Sequence, residues 1–135
     1  MKYAVAYAIA VIIFLALDFL WLGVIAKNLY YSRMGDLLLE QPRWVVAVLF
    51  YALFVVGLVY FGISTGLENG DWQTAALNGA LFGFFCYLTY DFTNLSVLKG
   101  YDPVVAVVDT IWGTALSAVT SGVTVILYNV LGRPG

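Results

Sequence analysis

The sequence contains no histidine, and it has a single cysteine, Cys86. Without histidine the chain cannot carry His-ligated haem, imidazole-bound zinc or a catalytic triad built on an imidazole. One cysteine cannot form an intrachain disulfide, and a thiolate metal cluster needs several. We therefore expect no cofactor and no bound metal, and we expect Cys86 to be a small core residue.

Charge is also scarce. Charged residues make up 10% of the 135 residues, with six lysines and arginines against eight acidic residues and a net charge of −2. A soluble domain carries about 25%, whereas this chain is 63% hydrophobic and has a mean hydropathy of +0.93. This composition predicts a polytopic membrane protein. The absence of a basic run argues against nucleic-acid binding.

Four continuous apolar segments are long enough to cross a bilayer as helices, which takes about 20 residues each. They are residues 3–26, 44–67, 72–98 and 104–131. The sequence thus predicts an all-α fold, with one transmembrane domain over residues 1–135 and four helices in an up-down bundle. The loop at 27–43 is expected to form an interfacial amphipathic helix that ends at Pro42.

Lysine and arginine counts predict the orientation of the bundle. The loops at 27–43 and 99–103 hold four of these residues, whereas the opposite side holds only Lys2 and Arg133. We therefore expect both loops to be cytoplasmic and both termini to lie outside.

Three of the four apolar segments contain an aspartate. Asp18 lies eight residues before the end of the first, Asp91 seven before the end of the third, and Asp109 five after the start of the fourth. In an up-down bundle all three fall in the cytoplasmic leaflet, about 8–12 Å inside the helix ends. Intramembrane acids are costly and mark functional sites by default. Since burial and a neighbouring carboxylate favour the neutral form, we expect at least one to be neutral at pH 7.

Other polar and aromatic residues share the helix faces of these aspartates. Asn94 lies three residues after Asp91, and Tyr87 lies four before it. Trp112 follows Asp109 by about one helical turn. The candidates for a ligand or proton site are therefore Asp18, Tyr87, Asp91, Asn94, Asp109 and Trp112, whereas no catalytic residue is assigned.

The first and third segments also share an internal match. Residues 15–24 and 88–97 are identical at five of ten positions, including the Asp-Phe pairs that begin at Asp18 and Asp91. The match suggests a weak two-plus-two repeat.

The motifs around the aspartates resemble a known family. Asp-Phe-Leu-Trp-Leu-Gly at 18–23, Tyr-Asp-Phe-Thr-Asn-Leu at 90–95 and Val-Asp-Thr-Ile-Trp-Gly at 108–113 occur in the order found in the bacterial predicted membrane proteins called domain of unknown function 2177. The resemblance covers nearly the whole chain and implies a small multi-pass protein of the bacterial inner membrane. It implies no established activity, cofactor or catalytic residue.

Three functions remain open, and whether the protein is an enzyme is open with them. The first is a protein that binds, or acts on, a lipid-like apolar molecule at the carboxylate site. The second is a small proton- or cation-coupled transporter or channel that works as a homodimer. The third is a non-catalytic accessory subunit. Membrane lipids are the expected partners, with a homodimer as a further expectation.

Overall fold

A computed structural model describes residues 2–34 and 43–131, and every regular element in them is helical. The elements are α1 (Lys2–Leu20), a π-helical turn (Trp21–Ile25), α2 (Lys27–Met34), α3 (Trp44–Leu58), a second π-helical turn (Val59–Ile63), α4 (Ser64–Asn69), α5 (Trp72–Val97) and α6 (Pro103–Leu131). The predicted all-α class is therefore confirmed for this part of the chain. The predicted end of the interfacial helix at Pro42 lies outside the described residues.

Each predicted apolar segment is helical, with bounds within two residues of the expected ones. Within the described part of the chain, three helical stretches are long and apolar enough to cross a membrane: Lys2–Ile25, Trp44–Asn69 and Pro103–Leu131. α5 is as long, but polar residues such as Asn78 and Asp91 lower its hydropathy. The four-span count accordingly stays a prediction.

The turn between α4 and α5 is fixed by local chemistry. Gly70 ends α4 in the left-handed conformation at φ 69°, which favours glycine. Asp71 then caps α5, because its carboxylate accepts hydrogen bonds from the Gln73 N–H at 2.9 Å and the Thr74 hydroxyl at 2.8 Å. The Thr74 hydroxyl, together with these backbone groups, holds the pKa of Asp71 below its usual value.

α5 and α6 form the closest helix pair. Gly79 on α5 faces Ser121, Gly83 faces Ser117, and Gly113 on α6 lies against the Tyr87 ring. Residue numbers rise on one helix as they fall on the other, so the two helices are antiparallel and stay in register. Small residues allow this close approach.

Aromatic and aliphatic side chains from the other helices complete the core. Phe14 on α1, Leu58 on α3 and Leu116 on α6 are buried in one cluster. The opposite surfaces of α1 and α3 expose large apolar residues such as Ile12 and Val45, as expected of helices that face lipid. The second apolar segment exposes large side chains along much of its length, whereas Leu58, Ile63 and Leu67 are buried in the core.

Candidate functional site

Asp18 lies where α1, α3 and α6 meet, and it is only 4% exposed. The Tyr51 hydroxyl donates to its Oδ2 at 2.5 Å, and the Trp112 Nε1 donates to its Oδ1 at 3.2 Å. Both carboxylate oxygens are therefore bonded, each by a different helix. A buried carboxylate needs such partners, because a buried charge without them is very costly.

Asp91 on α5 is completely buried. The Tyr101 hydroxyl donates to its Oδ1 at 2.7 Å, and the Thr110 hydroxyl lies 3.2 Å from its Oδ2. The same Thr110 hydroxyl lies 2.9 Å from the backbone oxygen of Ala106. The Thr110 hydroxyl therefore lies between the Asp91 carboxyl group and the backbone of α6.

Asp109 on α6 joins the other two acids. It is half-buried, and it accepts a hydrogen bond from the Tyr30 hydroxyl at 2.9 Å. Asp91 and Asp18 both lie close enough to act on it electrostatically. A neighbouring carboxylate favours the neutral form of an acid, and the expectation that at least one acid is neutral stays a prediction.

Two tryptophans connect Asp18 with Asp109. The rings of Trp21 and Trp112 stack with centroids 4.5 Å apart and planes 6° from parallel. Trp21 Nε1 donates to the Tyr30 hydroxyl at 3.0 Å, and Tyr30 in turn bonds Asp109. Trp21 opens the first π-helical turn, a feature that often occurs at functional sites. We call the three aspartates and the aromatic residues bonded to them the carboxylate cluster.

The two remaining candidates border this cluster. Asn94 lies close to the Tyr101 hydroxyl, which itself bonds Asp91. Tyr87 packs over Gly113 and meets the Phe54 ring edge-on at 5.8 Å. The structure therefore brings the six predicted residues into one region, where Asp18 bonds Trp112, Asp91 and Asp109 each bond a tyrosine, and Tyr87 packs. Their role as a functional site stays a prediction.

The sequence analysis missed four residues that bond the aspartates: Tyr30, Tyr51, Tyr101 and Thr110. The contact of Tyr51 with Asp18 could have been predicted from the positions of the two residues in their segments. It lies seven residues into the second apolar segment, and Asp18 lies eight before the end of the first, so antiparallel helices bring them to one depth. Tyr30 and Tyr101 had no such signal, because each lies between apolar segments and reaches back toward the membrane-spanning helices.

Tyr30 and Tyr101 are the two cluster tyrosines outside the apolar spans. Burial raises the pKa of Tyr30, and the charge of Asp109 raises it further. Burial also raises the pKa of Tyr101, and its hydrogen bond to Asp91 adds to the effect. Both hydroxyls therefore remain protonated donors to the aspartates at any physiological pH.

A cation lies near the cluster but not in it. Arg33 on α2 forms an ion pair with Asp102 at 3.4 Å, and both side chains are partly exposed. Asp102 also accepts from the Val105 N–H at 3.0 Å at the start of α6. Among residues 2–34 and 43–131 this is the one ion pair. The three acids are therefore stabilised by hydrogen bonds from hydroxyl and indole groups rather than by cations.

An apolar groove adjoins the cluster. It runs between α1 and α3 and encloses a cavity of about 260 Å³. Its walls are almost entirely hydrocarbon and aromatic, and they include Tyr51, the residue that bonds Asp18. We call this cavity the α1–α3 groove; its lining residues are Tyr7, Val11, Leu15, Phe19, Trp44, Ala47, Val48, Tyr51, Ala52 and Val55.

These features define an all-helical membrane protein with a buried cluster of acids and aromatic residues. Comparison with known families identifies the chain more closely. The family described as "Predicted membrane protein (DUF2177)" matches residues 3–126, and the chain belongs to that family. No curated protein and no solved structure matches the chain.

Proposed function

We propose that this protein spans the membrane four times, with α5 as the additional span. α5 has 26 residues, which exceeds the length that the hydrocarbon core requires. It pairs with α6 from Ala76 to Asp91, so it must lie at the same depth as a helix that is itself apolar enough to span. Its outer face exposes large apolar side chains, including Leu77, Leu81 and Phe85.

Reporter fusions at the two termini distinguish four spans from three. An even number of spans places both termini on the same side, and the lysine and arginine bias places that side outside. We expect a reporter that works only in the cytoplasm to be inactive at either end. Activity at one end alone would indicate an odd number of spans, and activity at both would reverse the orientation.

We further propose that the protein binds a lipid-like apolar molecule in the α1–α3 groove, beside the carboxylate cluster. The observation that carries this proposal is the position of Tyr51. Its side chain lines the groove, and its hydroxyl donates to Asp18 at 2.5 Å. An apolar molecule in the groove would therefore contact the Tyr51 hydroxyl, which is hydrogen-bonded to the buried carboxyl group of Asp18.

The chemistry of the groove lining determines which class of molecule it can bind. None of its lining residues is charged, so it favours a hydrocarbon chain, with Tyr51 and Trp44 as its hydrogen-bonding groups near the cluster. A polar atom of the bound molecule would meet the Tyr51 hydroxyl, whose proton is directed at Asp18, so that atom would donate to the hydroxyl oxygen. The site is therefore suited to binding a lipid or isoprenoid that carries a hydrogen-bond donor.

Lipid retention tests this proposal. The protein is purified in mild detergent, and bound lipid is measured by native mass spectrometry. Val48→Trp fills the groove, whereas Val45→Trp adds the same bulk to a residue of the same helix that is 74% exposed and does not line it. We expect wild type and Val45→Trp to retain a defined apolar lipid and Val48→Trp to lose it. Equal retention by all three, or no defined lipid in wild type, would refute the proposal.

A second candidate is a proton- or cation-coupled transporter that works as a homodimer. It is favoured by the contact between Asp91 and Asp109, together with a row of α6 hydroxyls that extends from them toward the far end of the helix. These hydroxyls are buried and have no hydrogen-bond partner among the described residues: Ser117, Thr120, Ser121 and Thr124. Buried polar groups in proteins are normally bonded, to ordered water if to nothing else.

Flux measurements separate this candidate from the first. In proteoliposomes with a pH gradient, a transporter would carry protons in the wild type and lose that flux in Asp109→Asn. Wild-type flux equal to that of empty liposomes would exclude a proton pathway. Crosslinking in the membrane reports whether two copies associate, which a homodimeric pathway requires.

A further inference from the structure

A second cavity lies at the other end of α1, away from the carboxylate cluster. It has a volume of about 710 Å³ and opens between the start of α1 and the end of the α3–α4 stretch. It is therefore in the leaflet opposite the three aspartates. Its lining residues are Tyr3, Ala4, Tyr7, Val56, Val59, Tyr60, Ser64 and Glu68.

The lining of this cavity suits a positively charged ligand. Among the described residues that line it, Glu68 alone is charged, and three tyrosine rings accompany it. The Tyr3 hydroxyl donates to Glu68 Oε1 at 2.7 Å, which orients the carboxylate. A carboxylate surrounded by aromatic rings is the arrangement that recognises organic ammonium groups.

The chain already places an ammonium group against one of these rings. The Lys2 Nζ lies 5.5 Å from the centroid of the Tyr3 ring, within the range of a cation–π interaction. Lys2 does not form an ion pair with Glu68, since the one ion pair in the described part of the chain joins Arg33 and Asp102. The carboxylate is thus available to an external cation, while Lys2 supplies a positive charge beside the cavity.

The position of the cavity points to a lipid rather than a dissolved amine. Tyr60 is 72% exposed and Val56 51% exposed, so the cavity opens sideways from helices that are apolar enough to span the membrane. Glu68 lies two residues before the Gly70 turn, at the depth of lipid headgroups. Tyr7 lines both this cavity and the α1–α3 groove, so an apolar surface continues inward from the headgroup position.

We propose that this cavity binds the headgroup of a membrane lipid that carries an ammonium group, with Glu68 and the rings of Tyr3, Tyr7 and Tyr60 as its ligands. The Lys2 ammonium contributes by attracting the phosphate of the same lipid. The site lies in the opposite leaflet from the carboxylate cluster, and apart from Tyr7 its ligands do not line the α1–α3 groove.

Competition between two lipids of equal acyl chains tests the proposal. The protein is placed in nanodiscs with equal amounts of an ethanolamine phospholipid and a glycerol phospholipid, and the bound lipids are measured by native mass spectrometry after release. A cation–π and carboxylate site predicts a preference for the ethanolamine lipid of about 5- to 30-fold in wild type. Glu68→Gln should reduce this ratio to near one.

Two further variants test whether the effect of Glu68→Gln comes only from the loss of an acidic charge or from a failure to fold. Asp71→Asn removes the same charge from the same end of the bundle, but it keeps a residue that caps helices well and does not line the cavity; it should keep the wild-type preference. Tyr60→Leu removes an exposed ring that the fold does not require, and it should lower the ratio even if Glu68→Gln fails to fold.

The outcomes are separable. No preference in wild type, or a preference that survives both Glu68→Gln and Tyr60→Leu, would overturn the proposal. Displacement of the lipid by millimolar free ethanolamine would show a site for dissolved amines and contradict the lipid assignment. Val48→Trp changes only the α1–α3 groove. If this variant loses the groove lipid but keeps the wild-type preference for the ethanolamine lipid, the two sites are distinct.

Discussion

Replacing Gly83 by alanine tests the close approach of α5 and α6 next to the carboxylate cluster. A Cβ at this position would overlap the Ser117 side chain and would lie 2.7 Å from the backbone oxygen of Gly113. A serine rotamer change could move the Ser117 hydroxyl, but the Ser117 Cβ, 2.5 Å away, and the Gly113 carbonyl can move only with the helix. Ordinary contact begins at 3.4 Å, so the two helices would have to separate by about 0.9 Å on that side.

The expected loss of stability is about 1–3 kcal/mol, the usual range for overpacking a well-packed core. The better helix propensity of alanine offsets it by about 0.5–1 kcal/mol. Reversible unfolding in mixed detergent micelles measures the difference. We expect Gly83→Ala to be destabilised by a net of about 1–2 kcal/mol.

Gly23 provides the matched control. A Cβ at Gly23 meets nothing within 4 Å, so Gly23→Ala should leave the free energy of unfolding unchanged or slightly higher. Adding Ser117→Gly to Gly83→Ala removes the side-chain overlap and should recover part of the loss. Equal stability of Gly83→Ala and Gly23→Ala would refute the close approach of α5 and α6.

Three further changes have distinct expected results in the same unfolding assay. Asp71→Ala should cost about 1 kcal/mol because it removes the N-cap of α5, whereas Asp71→Asn should cost much less; equal losses would contradict the cap. Arg33→Gln should change stability by less than about 1 kcal/mol, since its ion pair is exposed; a loss above about 2 kcal/mol would show that the pair anchors α2. Tyr30→Phe should cost about 1.5–3 kcal/mol because it removes a bond to a buried acid, and it should shift the fluorescence of Trp21, whose indole loses its acceptor; unchanged emission would contradict that bond.

The helices were predictable because a bilayer imposes a simple rule. Backbone groups in hydrocarbon must bond within the segment, so an apolar run of this length becomes a helix whatever its side chains. The start of α3 at Trp44 and of α5 at Trp72 followed directly from where the runs begin. The π-helical turns that interrupt the helices at Trp21–Ile25 and Val59–Ile63 were not predictable in this way, because the length of an apolar run does not indicate them.

The acids of the candidate site could be predicted from the sequence, whereas the residues that hydrogen-bond them could be predicted only in part. Asp18 and Asp91 stand out because an acid in an apolar run is exceptional, and the structure buries both. Tyrosine is common in this chain, with ten copies, so Tyr30 and Tyr101 carry no comparable contrast. Their roles depend on how the segments between the spans fold back, which periodicity does not describe.

The suggested repeat has a limited structural counterpart. Asp18 and Asp91 are both buried, and the phenylalanine that follows each is exposed, Phe19 by 54% and Phe92 by 37%. Each acid also accepts a hydrogen bond from a tyrosine that follows it in the chain, Tyr51 or Tyr101. Helix geometry alone places consecutive residues about 100° apart, so the exposure of both phenylalanines follows from it, and the repeat stays a prediction.

Infrared difference spectroscopy of the carboxyl groups tests the central claim, that the three aspartates form one cluster in which at least one acid is neutral. At pH 7 the wild type should show the C=O stretch of a protonated carboxyl group, because Asp91 lies close enough to Asp109 to act on it electrostatically and a neighbouring carboxylate favours the neutral form. The band should be lost or shifted in Asp109→Asn and in Asp91→Asn. A wild-type spectrum in which all three acids are ionised at neutral pH would contradict the account.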